Sequence, residues 1–248
     1  MLEESQPEEL PESAPPAVTP SLDYLGAAAL TEDLVLAQLK NRDLPADDVE
    51  RISQNAALMK SRKVRLALAS HPHCPRRVAL RLIREFFNFE LMHFALMPTV
   101  AADLKRVADE QLVTRLASIG LGERISLARR SSQMVAGALL LDKETQVWKP
   151  ALENPRLTET AIVKALQRGA TSPAFVEAVS HHSKWSYRLE IRAALLRNAH
   201  TPLARVIEFA RRIPPAQLRD ILHTSRLPET IKDYLRKTLD GERRMKSG

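Results

Sequence analysis

Three segments of the chain repeat one pattern of apolar residues, and this repetition restricts the fold more than any other feature. The segments 62–84, 145–167 and 189–211 align without gaps. In each half of each segment, apolar residues recur at positions i, i+3 and i+4, which places them on one face of a helix. Each segment therefore predicts two helices joined by a short break. The aligned apolar sets are Val64, Ala67 and Leu68; Val147, Pro150 and Ala151; and Ile191, Ala194 and Leu195 in the first helix, followed by Ala79, Leu82 and Ile83; Ile162, Ala165 and Leu166; and Val206, Phe209 and Ala210 in the second.

The break between the two helices is repeated as well. It opens at His71, Asn154 and Asn198, and asparagine suits a helix stop because it tolerates the left-handed conformation. Four residues later, proline or threonine favours the start of the second helix. The residues at that position are Pro75, Thr158 and Pro202.

The rest of the chain also predicts helices. From about residue 21 to 240, short helical periods of about ten to fifteen residues recur between breaks marked by proline or asparagine, and no period-two strand pattern is found. Aromatic residues make up only 4% of the chain and glycines number only 7, which counts against a β-sandwich or barrel. More than half of the residues are expected to be helical.

A single helix pair cannot bury both of its apolar stripes, but a stack of pairs can. The sequence VRxALxxHPxCPxxxxLRLI in the first segment and IRxALLxNxxTPLxxxIEFA in the third resemble leucine-rich repeat variants and, more broadly, HEAT-like helical repeats. The resemblance covers 69 of the 248 residues. It implies an all-α, right-handed α-solenoid of stacked, degenerate helix pairs, with a curved surface that binds something large. The aligned helices are then expected at equivalent positions along the stack.

Charge and composition divide the chain into three parts. Residues 1–20 contain five glutamates, five prolines and no basic residue, and they predict a disordered acidic tail. Residues 21–240 form the predicted helical-repeat domain, and 241–248 a short, basic, flexible C-terminus. The whole chain carries a formal charge of +7, so the residues after the acidic tail carry +12. Such a basic body suggests an acidic partner.

Arginine stripes supply the candidate binding surface. Arg77, Arg81 and Arg84 share one face of a predicted helix, and Arg188 and Arg192 form an i, i+4 pair. If stacking brings these faces together, they sum into one basic groove. The alternative is that each stripe is a solvated helix face whose aliphatic stems cover apolar edges.

The two tryptophans are candidate aromatic anchors. Trp148 aligns with Arg65 and Arg192, just after the apolar stripe begins, so part of its ring is expected at the surface. An exposed tryptophan on a basic surface can stack on a base or anchor a protein partner. A packing role in the core is the alternative for both Trp148 and Trp185.

Catalytic and metal-binding patterns are sparse. The run His71-Pro72-His73-Cys74 has no second Cys or His group at zinc-site spacing, and the alignment places Cys74 as an N-cap residue. A thiol at a helix N-terminus beside a histidine can still have a lowered pKa and be oxidisable. His181-His182 indicates a turn between helices. No catalytic motif is recognised, so we expect no catalytic, cofactor-binding or metal-binding residues and no bound cofactor.

These features favour a non-enzymatic interaction scaffold that holds a protein partner on a curved helical surface. A nucleic-acid-binding protein that uses a basic groove is the alternative. A HEAT-like DNA glycosylase is a distant third, because it needs an exposed tryptophan and a carboxylate on the basic face. The acidic start and the lack of a long apolar run predict a cytoplasmic protein without a membrane span. The residues expected in the core are Leu68, Leu82, Leu166, Leu195 and Phe209.

Overall fold

The computed structural model describes residues 31–168 and 171–246, and these residues form an all-α protein. They contain fifteen α-helices, two short 3-10 turns and no β-strand. The helices are α1 (Glu32–Gln38), α2 (Ala46–Gln54), α3 (Arg62–Ala69), α4 (Arg76–Glu85), α5 (Asn88–Leu96), α6 (Ala102–Arg115), α7 (Leu121–Arg130), α8 (Gln133–Leu139), α9 (Thr145–Leu152), α10 (Glu159–Gln167), α11 (Pro173–His181), α12 (Leu189–Arg197), α13 (Leu203–Ala210), α14 (Pro215–Thr224) and α15 (Glu229–Lys246).

Helices that are next but one in the chain pack on each other. The helices α4, α6, α8, α10, α12 and α14 form one continuous row of such contacts. On the other side, α1 packs on α3, α7 on α9, and α13 on α15. Successive helices such as α3 and α4, or α7 and α8, join the two sides. The helices of this row thus have packing neighbours on more than one side.

The repeated break is built by side chains that bond to backbone carbonyls of an earlier part of the chain. The side chain of Asn198 donates to the Leu166 carbonyl at 2.9 Å and accepts from the backbone N–H of His200 at 3.0 Å. His71 contacts the carbonyl of Asn41 in the same way and accepts from the backbone N–H of His73. Asn154 repeats both kinds of bond. One side chain therefore shapes its own turn and ties that turn to the preceding part of the fold.

The core follows the predicted apolar stripes. Each of the five residues expected in the core is no more than 2% exposed, which confirms that prediction. Aliphatic residues dominate the interior, and small buried residues such as Ala79 and Ala151 allow neighbouring elements to approach closely. The five core residues are Leu68, Leu82, Leu166, Leu195 and Phe209.

The third aligned segment does not take the position that the alignment predicts. The first helices of the first two segments, α3 and α9, pack on α1 and α7. The first helix of the third segment, α12, packs on α10 and α14 instead. It therefore lies in the row that holds the second helices of the other two segments. The aligned segments share their helix–break–helix construction, but the prediction of equivalent positions is wrong for α12.

The C-terminal end of the described chain differs from the predicted domain boundary at residue 240. The last helix, α15, continues from Glu229 to Lys246 without a break at residue 240. Residues 241–246, predicted to be a flexible segment, are therefore helical in the structure. The predicted acidic tail 1–20 and the start of the repeat domain at residue 21 lie outside the described residues.

Candidate functional site

The C-terminal ends of α10, α12 and α14 surround a recess of about 380 Å³. Three arginines, Arg168, Arg197 and Arg226, line it together with His200. The lining residues include no aspartate and no glutamate. Two other recesses each include a carboxylate, from Asp33 or Glu153. The remaining lining residues of the α10–α12–α14 recess are Leu166, Gln167, Thr171, Ala194, Asn198, Ala199 and Thr224.

The three arginines meet because three neighbouring helices of one row end side by side. Arg168 follows α10 directly, Arg197 is the last residue of α12, and Arg226 lies just beyond the end of α14. A cation is favourable at a helix C-terminus because the helix dipole is negative there. Since α10 packs on α12 and α12 packs on α14, the three ends form one edge.

Neutral side chains cap the carbonyl groups at this edge. Thr171 donates to the carbonyl of Ala165 at 2.7 Å, and Asn198 donates to that of Leu166. The hydroxyl groups of Thr201 and Ser225 donate to the carbonyls of two further residues, Leu195 and Leu196. The last carbonyl groups of a helix otherwise need such partners from solvent or from basic side chains. Here the arginines are not needed for capping.

The three guanidinium groups therefore keep most of their donors. Among the described residues, no ion pair involves Arg168, Arg197 or Arg226. In the described part of the chain, the only side-chain hydrogen bond of these three arginines runs from Nε of Arg197 to the hydroxyl oxygen of Thr224, at 3.1 Å. The backbone N–H of Arg226 donates to the Arg197 carbonyl at 3.0 Å and holds the two turns together. The recess thus presents about three positive charges without a carboxylate among its lining residues.

Other arginines at helix ends are used differently. Arg115 donates to the carbonyl of Phe86 at 2.6 Å and also to that of Arg84. Arg205 donates to the Ser180 carbonyl at 2.8 Å and pairs with Glu208. These arginines stabilise the fold. Not every helix-end arginine therefore keeps its donors open.

The five predicted basic-surface residues do not form one cluster. Arg77, Arg81 and Arg84 are exposed on α4, and Arg77 pairs with Glu50. The helices α6, α8 and α10 lie between α4 and α12 in the row. With interaxial distances of about 8–10 Å, α4 and α12 are roughly 30–40 Å apart along it. The prediction that stacking joins the two arginine stripes into one groove is therefore not supported.

The arginines near the start of α12 also differ from each other. Arg188 is exposed at the N-cap of α12. Arg192 donates from Nε to the Ser186 carbonyl at 2.8 Å, and its guanidinium lies 5.8 Å from the ring centroids of Tyr187 and Phe209. Arg192 thus packs against the fold through its guanidinium group.

Both tryptophans are core residues, which corrects their interpretation as surface anchors. Trp148 is 2% exposed and packs edge-on against Phe175, with ring centroids 5.6 Å apart. Trp185 is 3% exposed, and its indole N–H donates to the Leu152 carbonyl at 3.0 Å. The glycosylase interpretation requires an exposed tryptophan, and neither ring supplies one.

The His71–Cys74 run has a structural role. Nε2 of His71 contacts the Asn41 carbonyl at 2.9 Å, and Nδ1 of His73 contacts the Leu44 carbonyl at 2.8 Å. The N-cap of α4 is Pro75, so the assignment of Cys74 to that position is wrong. Burial raises the pKa of the Cys74 thiol to about 11, which is the opposite of an activated thiol.

Three other candidate features are the His181-His182 turn, metal-binding clusters and membrane-spanning helices. His181 is the last residue of α11, so the predicted turn begins only at His182. Nε2 of His182 lies 3.0 Å from a carboxylate oxygen of Glu153. Within the described residues, no group of three or more His, Cys, Asp or Glu side chains is placed to hold a metal ion. Among the described helices, none combines the length and the apolar character that crossing a bilayer requires.

The recess was missed because its residues are far apart in sequence. Arg168, Arg197 and Arg226 recur at intervals of 29 residues, whereas the sequence search for basic surfaces followed single helix faces. A search for basic residues at successive helix ends would have found them. No protein-family model, curated protein or solved structure matches the chain.

Proposed function

We propose that this protein is a non-enzymatic interaction scaffold in which stacked helices form an α-solenoid. The row of contacts from α4 to α14 supports this arrangement, because each helix in the row touches the next one along it. Solenoids of this kind offer extended surfaces for binding other macromolecules. The handedness and curvature expected from the repeat resemblance remain part of the proposal.

The partner in this proposal is a protein with an acidic segment, and its binding site is the α10–α12–α14 recess. The observation that carries the proposal is that three arginines from three neighbouring helix ends line one recess whose lining residues include no carboxylate. Guanidinium groups bind carboxylates through two parallel hydrogen bonds, which are stronger than neutral ones. An acidic segment can therefore replace the water around these three cations with direct contacts.

Nucleic acid is the second candidate partner, favoured by the distribution of charge. Of the 37 lysines and arginines, 24 follow residue 110, against 13 of the 30 acidic residues. A backbone of phosphates can neutralise such a surface without base recognition. Both tryptophans, however, are buried and offer no platform for stacking bases. An acidic protein segment needs no stacking platform and is therefore the preferred partner.

The test compares binding of a fluorescent Glu-rich peptide, a Gln-substituted peptide and single-stranded DNA by fluorescence anisotropy at low salt. We expect the Glu-rich peptide to bind and the Gln-substituted peptide not to bind. The variant Arg168→Gln/Arg197→Gln/Arg226→Gln should weaken binding of the Glu-rich peptide at least tenfold, because it removes all three guanidinium groups.

The matched control is Arg81→Gln/Arg84→Gln/Arg188→Gln. It removes the same charge from three exposed arginines outside the recess, for which no ion pair is found in the described residues. Its affinity for the peptide should stay within about twofold of the original protein. Equal losses in the two variants would show that only net charge matters. Tighter binding of the DNA than of the peptide would favour the nucleic-acid alternative.

A further inference from the structure

We propose that the α10–α12–α14 recess recognises a phosphate monoester, carried by a phosphorylated serine or threonine in the acidic segment of the partner. This inference rests on the proposed function, because it names the group that the same recess binds most tightly. It concerns the chemistry of one site and does not depend on the handedness or curvature of the stack.

The charge of the recess exceeds what one carboxylate can neutralise. Arg168, Arg197 and Arg226 carry about three positive charges, and the lining residues supply no negative one. A phosphate monoester carries a charge of about −1.5 to −2 at neutral pH, against −1 for a carboxylate. It also has three acceptor oxygens in place of two. The phosphate group therefore matches the three cations better in both charge and number of acceptors.

The donors of the three arginines are open to such a ligand. Nε of Arg197 is occupied by the hydroxyl oxygen of Thr224, which leaves the terminal nitrogens of its guanidinium group available. For the side chains of Arg168 and Arg226, both exposed, no hydrogen bond or ion pair is found in the described part of the chain. Clusters of arginine with open forks are the usual means of recognising phosphorylated motifs.

The surroundings reduce the main obstacle to an anion at this place, the negative end of the helix dipole. Three helices end at the recess, and exposed carbonyl oxygens would repel a phosphate. The carbonyls of Ala165, Leu166 and Leu196 instead accept hydrogen bonds from Thr171, Asn198 and Ser225. The carbonyl of Arg197 accepts from a backbone N–H. Capping by neutral donors thus lowers the negative potential while the arginines keep their charge.

The recess also differs from other basic parts of the surface because its arginines come from three different helix ends. On α4, Arg81 and Arg84 point from a single exposed helix face, and Arg77 pairs with Glu50. In the recess, three arginines at the ends of three different helices line one volume of about 380 Å³. A compact, highly charged group can contact several of them at once, whereas an isolated helix face offers contacts from one side only.

The experiment uses the full chain and three fluorescent peptides of one acidic sequence that differ only at a central residue: phosphoserine, serine or glutamate. Affinities are measured by fluorescence anisotropy at about 150 mM salt. We expect the phosphoserine peptide to bind at least tenfold more tightly than either of the others. The preference should fall severalfold in Arg226→Lys, which keeps the charge but loses the guanidinium fork.

Two further variants separate recognition from folding and from general charge. Arg197→Lys tests a second guanidinium group, and Arg81→Lys on α4 is the matched control, for which the preference should stay unchanged. Urea unfolding followed by circular dichroism confirms that each variant is folded. Loss of the preference in Arg226→Lys and Arg197→Lys, but not in Arg81→Lys, is the predicted result.

Different results would contradict the phosphate inference alone or the proposed function as well. If the three peptides bind equally, or if phosphoserine is preferred equally in all variants, the phosphate inference is wrong and the proposed binding of acidic segments still stands. If no peptide binds to the folded protein, the proposed function fails together with the inference. Tighter binding of a 5′-phosphorylated oligonucleotide than of the phosphopeptide would overturn the inference in favour of nucleic acid.

Discussion

Substitution of Asn154 tests how the helices of this fold are held together. Asn154 is 1% exposed and directly follows the C-cap of α9. Its Nδ2 donates to the carbonyls of Ala128 and Ser131 at 2.8 and 3.2 Å, and its Oδ1 accepts from the backbone N–H of Arg156 at 2.8 Å. One side chain thus connects the end of α7 to the turn between α9 and α10.

The expected loss in the free energy of unfolding follows from these three hydrogen bonds. Asn154→Ala leaves two buried carbonyl groups and one backbone N–H without this partner. A hydrogen bond contributes about 1 kcal/mol net, and a buried polar group that loses its partner costs about 1–3 kcal/mol. We therefore expect Asn154→Ala to lower the free energy of unfolding by about 2–4 kcal/mol. Gln146→Ala, at an exposed position on the same helix, should change it by less than about 0.5 kcal/mol.

Asn154→Asp adds a pH-dependent comparison. The carboxylate has the shape of the amide, but at pH 7 it turns an acceptor towards two carbonyl oxygens and should destabilise more than alanine does. When protonated, it regains one donor. The folded state therefore raises the pKa of this carboxyl, and stability increases as the pH falls. Urea unfolding followed by circular dichroism at pH 7 and pH 4 measures both effects. The reasoning is refuted if both variants unfold within about 0.5 kcal/mol of the original protein.

Three further predictions concern the core and two buried titratable groups. Leu195→Ala should lower the free energy of unfolding by about 2–5 kcal/mol, whereas Leu203→Ala, at a 51% exposed position, should change it little; equal urea midpoints would contradict this. Burial raises the pKa of Asp109, whose Oδ1 has no partner, so its ionisation costs stability as the pH rises. Asp109→Asn should therefore stabilise the protein by about 1 kcal/mol at pH 7 and by less at pH 4. A larger gain in stability at pH 4 than at pH 7 would contradict the raised pKa of Asp109. At pH 8 the Cys74 thiol should react with a disulfide reagent at least about tenfold more slowly than in unfolded protein, because its pKa is raised from 9.0 to about 11 and the loss of thiolate outweighs the higher nucleophilicity; equal rates would refute the shift.

The helical architecture could be predicted from local signals. Apolar spacing identified the stripes that contain Leu68 and Leu195, and both residues are fully buried. Asparagine and proline marked where helices end and begin, because these residues act through their own backbone and immediate neighbours. The row of helices that a given helix joins could not be predicted from such local signals. The sequence of α12 resembles that of α3 and α9, but its row depends on how many helices precede it, which the alignment of three isolated segments does not count.

The environment of individual side chains could be predicted less well. Trp148 aligns with Arg65 and Arg192, which suggested an edge position, but Phe175 of α11 packs against its ring. Such burial depends on a neighbouring helix that follows later in the chain. The recess likewise depends on packing between helices that are separate in the sequence. Arg168 and Arg197 become neighbours only when α10 packs on α12, so a search along single helix faces could not combine them.

The most direct test of the account is to map where an acidic segment binds. The measurement is a titration of the isotope-labelled protein with the Glu-rich peptide, followed by the backbone amide signals in nuclear magnetic resonance spectra. The account predicts that the largest shifts occur at Arg168, Asn198 and Arg226, at the ends of α10, α12 and α14. Shifts centred on Arg81 and Arg84 of α4, with the helix ends unchanged, would contradict it.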